Sequence, residues 1–208
     1  MMRCLYFSLL AISLSCCASE YSKLTATSAD TECARRIQPG SIRTSWYDAS
    51  IDVVGHHISG LLLIKVMPDS SHRVVFTNEV GITYLDFGFL SNGTFEVLTV
   101  IGPLKKKAVI RTLRKDFELI LGIPFVGTKL ERFIAGDEVY FGVRQKNETA
   151  YFITTKDCAS LQRIERGSSR RRVVSVKVSQ QGYPLPEQLE LTHLTFDMQI
   201  KLNRIQKE

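Results

Sequence analysis

The sequence is poor in the signatures that announce a catalytic or metal-binding site. Its 5 cysteines include no CxxC pair, and no Cys/His cluster at zinc-ligand spacing occurs with its 4 histidines, which removes the usual structural-zinc and thioredoxin-type patterns. No Gly-rich phosphate loop is present, and no GxSxG segment marks an esterase-type nucleophile. The adjacent pair His56-His57 would point to opposite faces of a strand and so could not easily share one metal; His72 and His193 stand alone. Asn78, Glu79 and Asp86 follow strand-like segments, where turn or edge roles suit them better than acid/base chemistry. There is no internal repeat. These absences leave a hydrolytic enzyme without support beyond its side-chain inventory, and the expectation is no catalysis, no cofactor and no metal.

Long apolar runs are also scarce. The N-terminal stretch Leu5 to Leu14 is interrupted only by serines, yet at about ten residues it is too short to cross a bilayer as a helix. With Arg3 before it and small residues at its end, it reads as a targeting segment that is removed. The exit Ser13-Leu14-Ser15-Cys16-Cys17 resembles the lipobox of bacterial lipoprotein signals. A small residue precedes a cysteine there that is diacylated and becomes the new N-terminus. Ser15-Cys16 matches this pattern; Cys17, with Leu14 in the aliphatic place, is the alternative. Cys16 is therefore the expected lipid-attachment residue, and the cell envelope the expected location, anchored in a membrane (the outer membrane, facing the periplasm).

Removal of residues 1–15 takes away one charge, Arg3, and lowers the net charge from +6 to +5. The remaining chain of about 190 residues is a single-domain length. Such a mild basic excess in an exported protein favours an anionic envelope surface over nucleic acid as partner. Cys33 and Cys158 could pair in an oxidising compartment or remain two thiols, and spacing alone does not decide between them. Residues 16–41 are rich in Ser, Thr and Ala and read as a flexible tether, with a helical turn possible over 32–37. A single β-rich domain is expected over 42–208.

Within that domain the pattern is mainly strand. Trp46 to Val54, Gly60 to Val66, Arg73 to Thr77, Gly81 to Phe89 and Phe95 to Ile101 come first, the last two joined by the hairpin signal Ser91-Asn92-Gly93. Further strands are expected at Val139 to Arg144, Ala150 to Thr155, Leu161 to Glu165, Arg172 to Ser179 and Gln188 to Thr192. The cleanest alternation runs from Leu194 to Leu202. One helix interrupts, between Lys105 and Gly122. Val109, Ile110, Leu113, Phe117, Ile120 and Leu121 fill one arc of it, with Gly122 and Pro124 to stop it. Ile123, Phe125 and Val126 then form an apolar loop, either folded into the core or exposed to a membrane. Two basic clusters, Lys105-Lys106-Lys107 and Arg170-Arg171-Arg172, are either solvated or in contact with anionic lipid. About nine strands and a central helix point to a mainly β (α+β) fold: a large curved antiparallel sheet or half-barrel with one or more helices on its concave face.

The order of parts resembles the LolA/LolB-like group of lipoprotein carriers and receptors. The resemblance is carried by the signal with Cys16, the early strands from Trp46 to Phe76, the passage from Phe95 to Gly122, and the C-terminal meander, chiefly Tyr151 to Glu165 and Pro186 to Leu202. It implies an incomplete barrel around an apolar cavity, with the helix as a lid and acyl chains as ligand. No individual ligand-binding residue or lid-controlling arginine of that group is matched here. The expected function is a non-catalytic, membrane-anchored envelope lipoprotein that binds acyl chains or another lipoprotein. The alternative is an envelope scaffold acting through protein contacts, its sheet and helix forming an ordinary core.

Overall fold

The structure, a computed structural model, describes residues 20–28, 31–37, 44–179 and 186–205; Cys16 and the signal segment lie outside them. Among the described residues there are thirteen strands and two α-helices: β1 (Thr25–Thr27), α1 (Thr31–Ile37), β2 (Ser45–Val53), β3 (His56–Val66), β4 (His72–Thr77), β5 (Thr83–Phe89), β6 (Phe95–Val100), α2 (Lys107–Ile120), β7 (Glu131–Ala135), β8 (Glu138–Gln145), β9 (Glu148–Thr155), β10 (Leu161–Gly167), β11 (Arg172–Ser179), β12 (Gln188–His193) and β13 (Met198–Ile205). They form one antiparallel sheet in the order β1-β7-β8-β9-β10-β11-β12-β13-β2-β3-β4-β5-β6. Two meanders meet where β13 pairs with β2, in register from Met198 opposite Val53 to Ile205 opposite Trp46. The sheet is not closed, and β1 and β6 are its two edges.

The position of α2 shows how strongly the sheet curls. The chain leaves the edge strand β6, passes through α2 and re-enters at β7, next to the opposite edge. Eleven strand spacings of about 4.8 Å would separate those strands in a flat sheet, roughly 50 Å. A 14-residue helix spans only about 21 Å. A sheet bent around the helix brings the two strands close to its ends. Side-chain contacts agree: α2 reaches Phe87 on β5, Phe95 on β6, Glu148 on β9, Arg166 on β10 and His193 on β12. Only a helix lying in the concavity can touch strands so far apart in the order.

Strand alternation sorts the side chains. Tyr47, Ala49, Ile51 and Val53 of β2 face inward, as do Val174, Val176 and Val178 of β11 and Met198, Ile200 and Leu202 of β13; all belong to one buried cluster with the apolar side of α2. The alternation expected from Leu194 onward is correct in phase but starts late. Leu194 to Asp197 form the turn between β12 and β13, so Leu194 is exposed and only the part from Met198 is strand. The chain needs those residues to reverse direction between two paired strands. β7 was missed because Glu131 to Ala135 is half-buried throughout and shows no clean period.

Residues 20–28 and 31–37 of the segment expected as a flexible tether are built into the domain. β1 pairs with β7, Thr27 opposite Arg132. Cys33 on α1 forms a disulfide with Cys158 in the turn after β9, Cα–Cα 5.5 Å. Tyr21 stacks on Tyr151 at 4.6 Å between ring centroids. Composition reports only what a segment can bury by itself, and here order comes from partners more than a hundred residues away.

Candidate functional site

The concave face is lined by large apolar side chains and covered by α2. Val109, Leu113, Phe117, Leu119 and Ile120 of the helix are buried, as is Leu121 after it, and Ile110 is half-buried at the margin. Phe117 meets the Phe87 ring edge-on at 6.3 Å. Leu104, in the short 3-10 turn Gly102–Lys105 before the helix, is also fully buried. A glycine flanks the helix at each end. Gly102 (φ +61) and Gly122 (φ +68) adopt the left-handed conformation that side chains resist. Gly122 sits directly after the C-cap Leu121, as a helix-terminating glycine should.

One carboxylate breaks the apolar side of the helix. Asp116 has no exposed surface. His193 Nε2 lies 2.8 Å from its Oδ2, and Arg166 Nη2 donates to its Oδ1 at 3.5 Å. Arg166 is itself buried. Its Nε lies 3.6 Å from Glu148 and has no hydrogen-bond partner, while Glu148 accepts from Lys115 Nζ at 2.9 Å. Asp116, Arg166 and His193 thus form a polar latch between α2 and strands β10 and β12. The sequence held one sign of it, since Asp116 lies inside the apolar arc between Leu113 and Phe117. His193 stands alone in the sequence, and Arg166 lies at the end of a strand-like segment with no carboxylate near it except Glu165.

The loop after α2 divides. Phe125, within the 3-10 turn Ile123–Phe125, is buried with its ring edge-on to Phe152 at 5.0 Å. Ile123 is half-buried against the core and Val126 is exposed. A membrane-contacting tip built on Phe125 is therefore excluded: its ring fills the end of the concavity beside β9. Lys105, Lys106, Lys107, Arg170 and Arg171 are exposed. Arg172 is not a solvated partner to them. It opens β11, half-buried, and bonds Glu165 at 2.7 Å.

The outer face carries a second, smaller apolar cluster of Tyr140, Tyr151 and Ile153, capped by Tyr21 and Leu24. Glu165, almost fully buried, accepts from Arg163, Arg172 and the Tyr21 hydroxyl. Burial, and then the Glu165 carboxylate, push the Tyr21 hydroxyl well above its ordinary pKa. Arg163 also bonds Glu138, whose carboxyl it holds below the usual range. An open cleft of about 420 Å³ lies beside this cluster, between Tyr21, Phe133, Arg144 and Tyr151. A smaller one of about 280 Å³ crosses β11 to β13 near Lys177, Glu190 and Lys201. Neither opens beneath α2. Among the described residues no three His, Cys, Asp or Glu side chains converge as a metal would need.

No family model matches the chain, and no curated protein matches it. Solved structures do. The chain is similar to a DUF1329 family protein from Desulfovibrio piger, with a TM-score of 0.43 and 10% identity over 84% of this chain and 89% of that one. It is also similar to a structure from Vibrio parahaemolyticus described as an outer-membrane lipoprotein-sorting protein domain, with a TM-score of 0.43 and 8% identity over the same shares. Independently of these, the Cys33–Cys158 disulfide points to an oxidising compartment such as the cell envelope.

Proposed function

We propose that this protein is a non-catalytic lipoprotein of the cell envelope, anchored through Cys16, whose half-barrel takes up acyl chains or the lipid of another lipoprotein when α2 swings away. The observation that carries this is the seating of α2. One amphipathic helix, flanked by Gly102 and Gly122, packs its apolar side into the concavity and is fastened by an incompletely satisfied polar latch. A buried ion cluster of this kind is weak as a source of stability compared with apolar packing of the same volume. It suits a contact that must be specific and also broken.

The dense packing of that interior favours a second reading, an envelope scaffold whose concavity is simply a core. A titration separates the two. The Cys16→Ser chain, purified without detergent, is mixed with a fluorescent long-chain fatty acid. Saturable binding that unlabelled palmitate competes away is expected, with faster uptake in Asp116→Asn, where the latch is loosened. No saturable binding by either protein selects the scaffold.

A further inference from the structure

The strand registers gather five connections at one end of the half-barrel, beside the β8–β9 turn and the entry into β7. They are the β2–β3 turn at 54–55, the β4–β5 turn at 78–82, the passage 101–107 from β6 into α2, the β10–β11 turn at 168–171 and the β12–β13 turn at 194–197. Five of the large apolar side chains exposed on the molecule lie here: Val54, Val80, Ile82, Ile101 and Leu194, with Val80 at 81%. The exposed lysines and arginines Lys105, Lys106, Lys107, Arg170 and Arg171 stand among them, as does Lys146 in the neighbouring β8–β9 turn. The exposed acids of the same turns are Glu79 and Asp197. The opposite end differs. Its turns carry Asp69, Asp137 and Asp157, and Lys156 is the one lysine among those three turns. Apolar tips spaced among cations are what an anionic lipid surface selects, because burial and charge attraction add.

Two further observations give the rim its partner. Lys106 caps α2 without a side-chain hydrogen bond, and the first turn of the helix holds no acid. Cations there oppose the helix dipole, so helix stability does not account for them. The chain path is the second. Glu20 accepts from the Arg172 backbone N–H at 2.7 Å, beside the 168–171 turn, and so enters the fold at this same end. Glu20 lies four positions after Cys16, a reach of at most about 14 Å.

We propose that this rim is a membrane-docking face, held against the anionic leaflet that carries the Cys16 lipid, with the turns at 78–82 and 101–107 as its contacts. The inference rests on the lipoprotein reading above, since the short reach matters only if Cys16 is acylated. Docked this way, the half-barrel stands on its basic end and turns its acidic end away from the membrane.

The test uses the purified Cys16→Ser chain and vesicles of phosphatidylethanolamine containing phosphatidylglycerol, read by co-sedimentation against pure phosphatidylcholine. Binding to the anionic vesicles alone is expected, weakening with salt. Lys105→Ala/Lys106→Ala/Lys107→Ala should lose about fivefold per lysine, on the order of a hundredfold together. Val80→Ser/Ile82→Ser should also weaken binding, and Lys156→Ala, at the far end, should change nothing. Equal binding by the triple variant and its parent, or no preference for anionic lipid, overturns the proposal. The lipoprotein reading is checked separately by the intact mass of the unsubstituted chain extracted from membranes. If Cys16 carries no acyl group, that reading fails whatever the vesicles show.

Discussion

Replacing Asp116 with alanine is expected to destabilise the fold by about 3–5 kcal/mol, the usual cost of removing one partner from a buried ion pair. The carboxylate is fully buried, and without it the Arg166 guanidinium and the His193 imidazole remain enclosed with no acceptor on the helix. Most of the loss is the penalty of stranding those groups, not the net worth of the pair. Two companion variants expose that distinction. Asp116→Asn keeps an acceptor for His193 and should cost less. Asp116→Leu combined with Arg166→Met removes both charges and should recover most of the loss. Urea unfolding followed by circular dichroism measures all three. A loss of under about 1 kcal/mol in Asp116→Ala would mean that the carboxylate is hydrated in solution and that the latch is not formed.

Phe117→Ala is expected to have an effect of similar size. The ring is wholly buried, packs on Phe87 and belongs to the last turn of the helix. Truncating a phenylalanine in a packed core costs about 3–5 kcal/mol through lost transfer energy and the cavity left behind. A helix that merely covered open space would lose less. The substitution also enlarges the space beneath α2, so the variant should bind a fluorescent acyl chain at least as tightly as its parent, despite its lower urea midpoint. Stability and binding falling in proportion would instead mean that the concavity is core and holds no ligand.

Much of the architecture was legible because strand alternation and helical periodicity are local. The arc of Val109, Leu113, Phe117 and Ile120 is written at helical spacing, and the helix ends where Gly122 and Pro124 require. The inward residues Met198, Ile200 and Leu202 follow from a period of two. The features that were not legible depend on distant partners. β1 and α1 look like tether because Thr25 to Thr27 and Cys33 acquire structure from β7 and from Cys158. Arg166 looks like a turn residue because its carboxylate partner lies 50 positions away on another element. The loop at Ile123 to Val126 could be read either way from composition; its contact with Phe152 buries Phe125, while Val126 stays exposed. The basic rim was visible only as separate clusters, since it takes the sheet register to bring 101–107 and 168–171 to the same end.

The central claim is that the concavity beneath α2 receives an acyl chain. The most direct measurement is native mass spectrometry of the Cys16→Ser chain, exported to the periplasm and purified without detergent, alongside Leu113→Glu. The glutamate would place a carboxylate under the helix, where an alkyl chain would lie. A fraction of the parent protein carrying one additional mass that matches a phospholipid or fatty acid, absent from folded Leu113→Glu, is the predicted result. A parent protein that is bare as purified, and still bare after incubation with phospholipid vesicles, would contradict it.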